Sequence, residues 1–430
     1  MPDGIALATA PIFTVMPSDP HDLDKFRRRA RQWLRENAPV RSKPNVVRHY
    51  DENSLAEARR FQQALHAAGL SGITWQERYG GQGLTPSHQE VFNEEAAHFD
   101  LPSAAFPLRI TLAIIGPALL DHGSEEQKRR YLPEMLRGDA LWVQLLSEPS
   151  AGSDLAALRM RALEDGGEWV LTGEKVWSSF GQYCDYAMVL ARSDWDAPKH
   201  SGLTMFIVPM DTPGLSVLPL REISGDADFC QEFLDEVRVP ASAVVGGVNQ
   251  GWSVALSLFN HSRAMTSGAA DTGPAMDPAR GGDPDPGRDL INFATRVGRG
   301  NDPVARQLVA EAVIDNVVSG LLTTRVAATG DPALANISKV FGSFVLQRKA
   351  AIDLELRGES AIAWNPGDED GHGPVHDYMF ARTATIAGGS HEILMSTIGE
   401  RILGLPKEPV PDRNAPFREL PGGPDDRKPS

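Results

Sequence analysis

The chain has 430 residues and carries 57 acidic against 42 basic side chains, a formal charge of −15. That length calls for roughly two or three structural modules, and the acidic balance argues against nucleic acid or an anionic membrane surface as partner. Its two cysteines, Cys184 and Cys230, are too few for a disulfide framework and lack metal-ligand spacing, so buried inert thiols and no metal site are expected.

Residues 1–20 show no period and read as a loose arm. From Asp22 the pattern is helical, with Leu23, Phe26, Ala30 and Leu34 on one face. A second helix is predicted over 54–68, with Leu55, Phe61 and Leu65 inward and Gly69 as its stop. Helical spacing continues through 90–99 and 111–120. A helix over 125–137 follows Ser124 as N-cap, with Glu126 at the favourable end of its dipole. The most apolar run, 108–120, is interrupted by Arg109 and Pro117 and is too short to span a bilayer. No charged n-region precedes an apolar h-region at the N-terminus, so no signal peptide is expected and the location is taken as cytoplasmic.

Near Ala140 the pattern changes to short β-rich runs at 141–146, 168–172, 186–191, 203–208, 215–220 and 230–233. Gly166-Gly167 and Pro213-Gly214 punctuate them. Helix returns at Gly251 and leads to Arg263. A Gly/Pro-rich stretch at 272–288 reads as a long loop. Asp302-Pro303 then caps a strong helix carrying Val313, Val317 and Leu321. Another helix carries Ile337, Phe341, Phe344, Val345 and Ile352, and a last one covers 390–403. The proline- and charge-rich end reads as a disordered or surface-wrapping tail. The expectation is an α+β chain: an arm (1–20), an N-terminal helical domain (21–138), a middle antiparallel β domain (139–248), a C-terminal helical bundle (249–405) and a tail (406–430).

Two segments in the β region carry chemistry. Leu146-Ser147-Glu148-Pro149 leads into a turn of small residues, Ser150-Ala151-Gly152-Ser153-Asp154, whose backbone N–H groups can approach a planar, electron-rich ligand closely. Trp177-Ser178-Ser179 then offers a flat aromatic surface beside two hydroxyls. Taken alone, Trp177 is ordinarily a core residue, Arg263 a surface or salt-bridged arginine, and Glu148 and Asp154 capping groups before they are an acid/base pair.

Together with Trp75 and Gly80-Gly81-Gln82-Gly83, the helix at 123–138, the run 237–251 and the closing segment 386–405, these segments resemble the acyl-CoA dehydrogenase family in sequence order. The resemblance covers about 20–405, and the stretch from Asp302 is similar to the family's actinobacterial, often heteromeric, branch. It implies a helical N-terminal domain, a middle β domain and a C-terminal four-helix bundle. It also implies FAD as cofactor, an acyl-CoA thioester as substrate, an electron-transfer flavoprotein or similar acceptor, and a homo- or heteromeric dimer or tetramer.

Carried over by position, Leu146 and Ser147 would touch the isoalloxazine, Trp177 would pack on it and Ser179 would reach its N5 edge, with Gly152 and Ser178 in the same segments. Ser153 would meet flavin or the CoA chain, Ser390 and Glu392 would face the cofactor, and Arg263 would line the acyl site. The family's α,β-desaturation needs a desolvated carboxylate to take the α-proton. The two positions where the family places that glutamate are Gly388 and Ser262 here, neither of which can accept a proton. His261 and His391 are weaker substitutes. The Gly-rich turn that holds the pyrophosphate is represented by Gly358-Glu359-Ser360-Ala361, followed by acidic residues 368–370, and no arginine–phenylalanine pair for the ADP half is evident near Arg296. These departures add two alternatives to desaturation by this chain: a catalytically degenerate partner subunit, and a flavin monooxygenase on the same fold.

Overall fold

A computed structural model describes residues 20–40, 51–102, 105–267, 288–329, 332–363, 373–407 and 414–420. The expected arm, the body of the 272–288 loop, the acidic run 368–370 and most of the tail lie outside the described residues.

The N-terminal helices form where apolar residues recur at helical spacing. In α1 (Pro20–Asn37), Phe26, Ala30 and Leu34 are buried against Phe61 and Leu65 of α2 (Glu52–Ala67) and Val91 and Phe92 of α3 (Pro86–Ala96). Helix α2 begins two residues earlier than its apolar pattern predicts. Asp51 caps it, accepting from Ser54 N–H while Ser54 Oγ accepts from Asp51 N–H. The run 108–120 becomes a broken helix: α4 (Phe106–Ile110), a π-helical turn at Thr111–Ile115, and α5 (Gly116–His122). Leu108, Ile115 and Leu119 are fully buried, so this run is core. No described helix is long and apolar enough to cross a membrane. Helix α6 (Glu125–Arg137) starts behind Ser124 as expected, with Gln127 completing a reciprocal cap.

The middle region is one eight-stranded sheet: β1 (Trp142–Leu145), β2 (Arg161–Asp165), β3 (Glu168–Ser179), β4 (Tyr186–Arg192), β5 (Leu203–Pro209), β6 (Leu215–Leu220), β7 (Phe229–Pro240) and β8 (Val244–Val245). The order is β6-β7-β3-β2-β4-β5-β8, with β1 on β4. Most neighbours are antiparallel, but β1 runs parallel to β4 and β2 meets β4 in parallel at Arg161 and Arg192. The expected antiparallel domain thus describes most of the sheet, with the β1–β4 contact as a parallel addition; the β2–β3 hairpin lies between β1 and β4 in sequence and supplies the crossover a parallel pair needs. Strands β3 and β7 each reach 12 residues, well beyond their apolar signal. The extra length is hidden because its buried positions include Lys175, Ser178 and Glu232.

The C-terminal part is helical: α7 (Gly251–Ser267), α8 (Arg288–Arg296), α9 (Pro303–Thr329), α10 (Pro332–Arg357), α11 (Gly373–Phe380) and α12 (His391–Thr397), the last continued by a π-helical turn, Ile398–Ile402. Asp302 Oδ1 accepts from Val304 N–H at 2.9 Å and caps α9. Val254, Ala255 and Leu258 of α7 enter a core shared with Trp75, Ile115, Trp142 and Met205, which binds helices and sheet together. Phe293, Val309, Ile352 and Leu356 form a separate core among α8, α9 and α10.

Candidate functional site

The site is built around the end of β1. After Leu145 the chain stays extended through Leu146 and Ser147. Glu148 and Ala151 then exchange backbone hydrogen bonds of 3.1 and 3.0 Å, closing a tight turn over Pro149 and Ser150. The Ser147 carbonyl accepts from Val176 N–H at 2.9 Å, which sets 146–154 beside β3. The two segments singled out in the sequence are thus neighbours in space.

A buried ion pair holds them there. Lys175 Nζ donates to Glu148 Oε1 and to the Leu146 carbonyl, each at 2.9 Å. The Glu148 carboxylate also accepts from Arg159 N–H at 2.7 Å and Met160 N–H at 2.8 Å. The Lys175 side chain is wholly buried, and burial holds its pKa below the usual lysine range. Glu148 is therefore a structural clamp. Asp154 has a different partner, Lys199 Nζ at 2.6 Å, so these two acids do not form a catalytic pair. Sequence reasoning missed Lys175. Its signal was parity, since 171 and 175 fall on the same buried face of β3.

Trp177 sits on a β-bulge. Val176 pairs with Gln231 and Ser178 with the adjacent Cys230, leaving Trp177 opposite no partner residue, at φ +67°. A tryptophan in the left-handed region is a steric outlier. The bulge turns its indole outward, 62% exposed, braced edge-on by Phe229 at 6.1 Å between ring centroids. Ser179 stays half-buried, whereas Ser178 turns into the core. Its hydroxyl donates to Glu232 Oε1, so it is committed to the protein. Burial pushes Glu232 up to about 7, opposed by Ser178 and Lys175. A side chain at Gly181 would place its Cβ 2.6 Å from Glu232 Oε1, so a larger residue there would have to displace that carboxylate from Ser178. Gly152 and Ser153 are exposed, and nothing lies within 4 Å of where a Cβ on Gly152 would stand.

The C-terminal candidates are less concentrated. Arg263 on α7 is half-buried, with Nη1 3.4 Å from Asn260 Oδ1. Burial and the nearby Arg401 both hold its pKa below the usual arginine range, placing two cations in one region. His261 Nε2 lies 2.8 Å from Asp121 Oδ2, which also accepts from Ser257 Oγ at 2.7 Å. Ser390 caps α12, accepting from Ile393 N–H at 3.4 Å. Glu392 is exposed, and its own backbone N–H and the Ser390 hydroxyl hold its carboxyl below the usual range. The His391 ring packs on Phe344 at 4.4 Å. Gly388 takes φ +72°, and its nearest outside neighbour is the ε-carbon of Lys339, 3.6 Å from a Cβ placed there. Lys339 Nζ donates to the Ala384 carbonyl and to Ser343 Oγ. An arginine–phenylalanine contact that the sequence did not disclose stands at the C-terminal end of α10, in the separate core with α8: Phe293 lies 4.1 Å from the Arg357 guanidinium and 5.3 Å from that of Arg296.

These residues fit the isoalloxazine end of a flavin. An exposed indole is fixed at an unusual backbone angle, beside the partly exposed Ser147 and Ser179, and the space before Gly152 is open. The family models for the acyl-CoA dehydrogenase N-terminal, middle and C-terminal domains match residues 20–139, 144–237 and 290–403. Acyl-CoA dehydrogenase IpdE1 of Mycobacterium tuberculosis is 33% identical over 395 residues, covering 90% of this chain and 99% of that protein. Acyl-CoA dehydrogenase FadE34 of the same organism is 37% identical over 391 residues, 89% of this chain and 51% of its own length. Among solved structures, the Tcur3481-Tcur3483 steroid ACAD aligns with a TM-score of 0.72 at 27% identity, over 91% of this chain and 99% of that one. The ChsE4-ChsE5 complex from Mycobacterium tuberculosis gives 0.68 at 26% identity, over 91% of this chain and all of that one. With all three of its domain models matched in order, the chain belongs to the acyl-CoA dehydrogenase family of FAD-dependent oxidoreductases.

Proposed function

We propose that this chain is the flavin-carrying subunit of a heteromeric acyl-CoA dehydrogenase, which desaturates a bulky acyl-CoA between its α- and β-carbons. The observation that carries this reading is Trp177, presented on the bulge of β3 beside Ser147 and Ser179. FAD, when bound, supplies the acceptor for the β-hydride. Trp177 gives the ring a flat apolar face, and the Ser147 and Ser179 hydroxyls can donate to its polar edge. The Glu148–Lys175 clamp keeps those groups in register. Arg263 and Arg401 lie close enough to feel each other's charge, and in this reading they would support charge building on the thioester oxygen.

The α-proton needs another acceptor. Gly388 and Ser262 have no carboxylate, His261 is turned onto Asp121, and a lysine stem borders Gly388. In this reading a second acyl-CoA dehydrogenase chain brings the carboxylate. The similar structures named as two-component assemblies support it, and so do Ile314, Val317 and Leu321, exposed along α9 where a partner can cover them. The small residues at 262 and 388, with a similar structure described as a steroid ACAD, support a bulky acyl group. Electrons would leave to an electron-transfer flavoprotein or a similar acceptor. The test is anaerobic titration of the FAD-loaded protein with a polycyclic acyl-CoA, alone and after co-expression with a second acyl-CoA dehydrogenase chain. Bleaching of the flavin band only in the two-chain complex is expected. A chain that retains no FAD in either preparation contradicts the reading.

A further inference from the structure

Residues 414–420 lie beyond the last residue matched by the family's C-terminal domain, 403, yet they pack back onto the loop between β4 and β5. Phe417 N–H donates to the Ala197 carbonyl at 3.0 Å, Arg418 N–H to Trp195 at 3.2 Å, and Pro416 forms a bridge with Pro198. The Phe417 ring is buried, and its centroid lies 3.5 Å from the Arg192 guanidinium, with Trp195 alongside at 5.6 Å. Arg192 is fully buried, and burial pushes its pKa down to about 10. Its guanidinium donates to the carbonyls of Ala156 at 2.6 Å, Leu158 at 3.2 Å and Lys199 at 3.2 Å. Lys199 in turn holds Asp154. A continuous path of contacts thus runs from Phe417 through Arg192 to both ends of the segment 154–158, directly after Gly152-Ser153.

We infer that the 414–420 strap is a positioning element for the acyl-CoA mouth, with Phe417 fixing the Ser153–Leu158 turn through Arg192. The physical reason lies in Arg192. A buried guanidinium has five donors in one plane and is stable only where carbonyls meet them and something polarisable covers its face. Phe417 provides that cover as a cation–π contact in a desolvated place, the setting in which such contacts are strongest. Without the ring, water reaches the guanidinium face and competes for the three carbonyl bonds. The turn then keeps its own backbone bonds (Ala157 N–H to Asp154, Leu158 N–H to Leu155) and its buried Leu155 and Leu158. It loses its guanidinium tether, and the remaining side-chain tie, the Lys199–Asp154 pair, is one that salt screens. The turn follows Ser153 directly and, among the described residues, shares no hydrogen bond with the Trp177–Ser179 segment, so the strap is expected to act first on thioester binding.

This inference rests on the acyl-CoA reading, and its test separates the two. Amide hydrogen exchange over 153–158 is measured in the full-length, FAD-loaded protein as wild type, Phe417→Ala and Phe417→Tyr. Kinetics with acyl-CoA are measured on the same proteins in the two-chain complex. Phe417→Ala is expected to speed exchange in that turn about tenfold, raise KM for acyl-CoA severalfold and leave kcat and FAD content unchanged; Phe417→Tyr is expected to behave as wild type. Unchanged exchange at 153–158, or faster exchange with an unchanged KM, overturns the inference. A complex that turns over no acyl-CoA overturns the functional reading, and the exchange data then still decide whether the strap holds the turn.

Discussion

Lys175 and Glu148 form an ion pair of 2.9 Å, buried at both ends, that fastens the end of β1 to the middle of β3. Each partner is also tied to backbone: Lys175 to the Leu146 carbonyl, Glu148 to the N–H groups of Arg159 and Met160. The pair fixes 146–148 against β3, while the position of Trp177 is set by the pairing of β3 with β7. Removing one partner leaves a buried charge without its counter-ion, which costs about 3–5 kcal/mol, whereas removing both charges costs less. Lys175→Met should therefore lower the urea midpoint more than Lys175→Met with Glu148→Gln. Equal losses in the two variants would show that the pair is not coupled.

Trp177 is held at φ +67° and is exposed, so it contributes little to the core. Trp177→Gly relieves the left-handed strain but frees the unfolded chain, so stability should stay within about 1 kcal/mol of wild type. FAD affinity should fall roughly tenfold or more through loss of the stacking face. Flavin retention on gel filtration, read beside a denaturation curve, separates the two effects. A variant that keeps wild-type FAD affinity would remove Trp177 from the flavin site.

Glu232 titrates near 7 in the folded chain, above its unfolded value, so the folded state keeps a proton the unfolded state has lost. Its contribution to stability is full below the ordinary carboxylate range and disappears as pH rises through about 7. Lys175 and Ser178 face it and act to lower its pKa, while Asp228, also pushed up to about 7 by burial, gives a slope of the same sign. Glu232→Gln should flatten the fall in unfolding free energy between about pH 5 and pH 7 without abolishing it. Urea melts across that range check it, and an undiminished slope in the variant contradicts it.

A glutamate can be restored at two places, with different outcomes. Ser262 lies within α7, where any side chain fits the backbone, so Ser262→Glu should fold normally and give the FAD-loaded chain measurable acyl-CoA desaturation. Gly388→Glu must adopt φ +72° beside the stem of Lys339. Strain of order 1–3 kcal/mol and an ion pair with that lysine should leave it destabilised and nearly inactive. Initial rates and melting temperatures of both variants give the comparison; higher activity in Gly388→Glu would reverse it.

The elements with helical or alternating apolar patterns were legible in the sequence: α1, α2, α6 behind Ser124, α9 behind Asp302, and β4 to β6. The ends of β3 and β7 were not, because Lys175, Ser178 and Glu232 fill interior positions and break the alternation that marks a strand. Strand β2 was hidden for the opposite reason, since only Ala162 in Arg161-Ala162-Leu163-Glu164-Asp165 is buried. At the site, sequence could place Trp177 beside hydroxyls but could not tell that Ser178 turns inward while Trp177 turns out; the bulge decides that, and it depends on β7. The return of Phe417 onto Arg192 joins residues 225 apart in sequence through local chemistry that carries no periodic signal.

The proposed function places a flavin platform on a chain that lacks its own α-proton acceptor. The most direct measurement is exchange of the α-hydrogens of a saturated acyl-CoA in D2O, catalysed by the FAD-loaded chain alone, because it reads proton removal without requiring turnover. No exchange above buffer is predicted for the lone wild-type chain, with exchange appearing in Ser262→Glu and in the complex with a second acyl-CoA dehydrogenase chain. Rapid α-exchange by the lone wild-type chain would contradict the account and place a working base among its own residues.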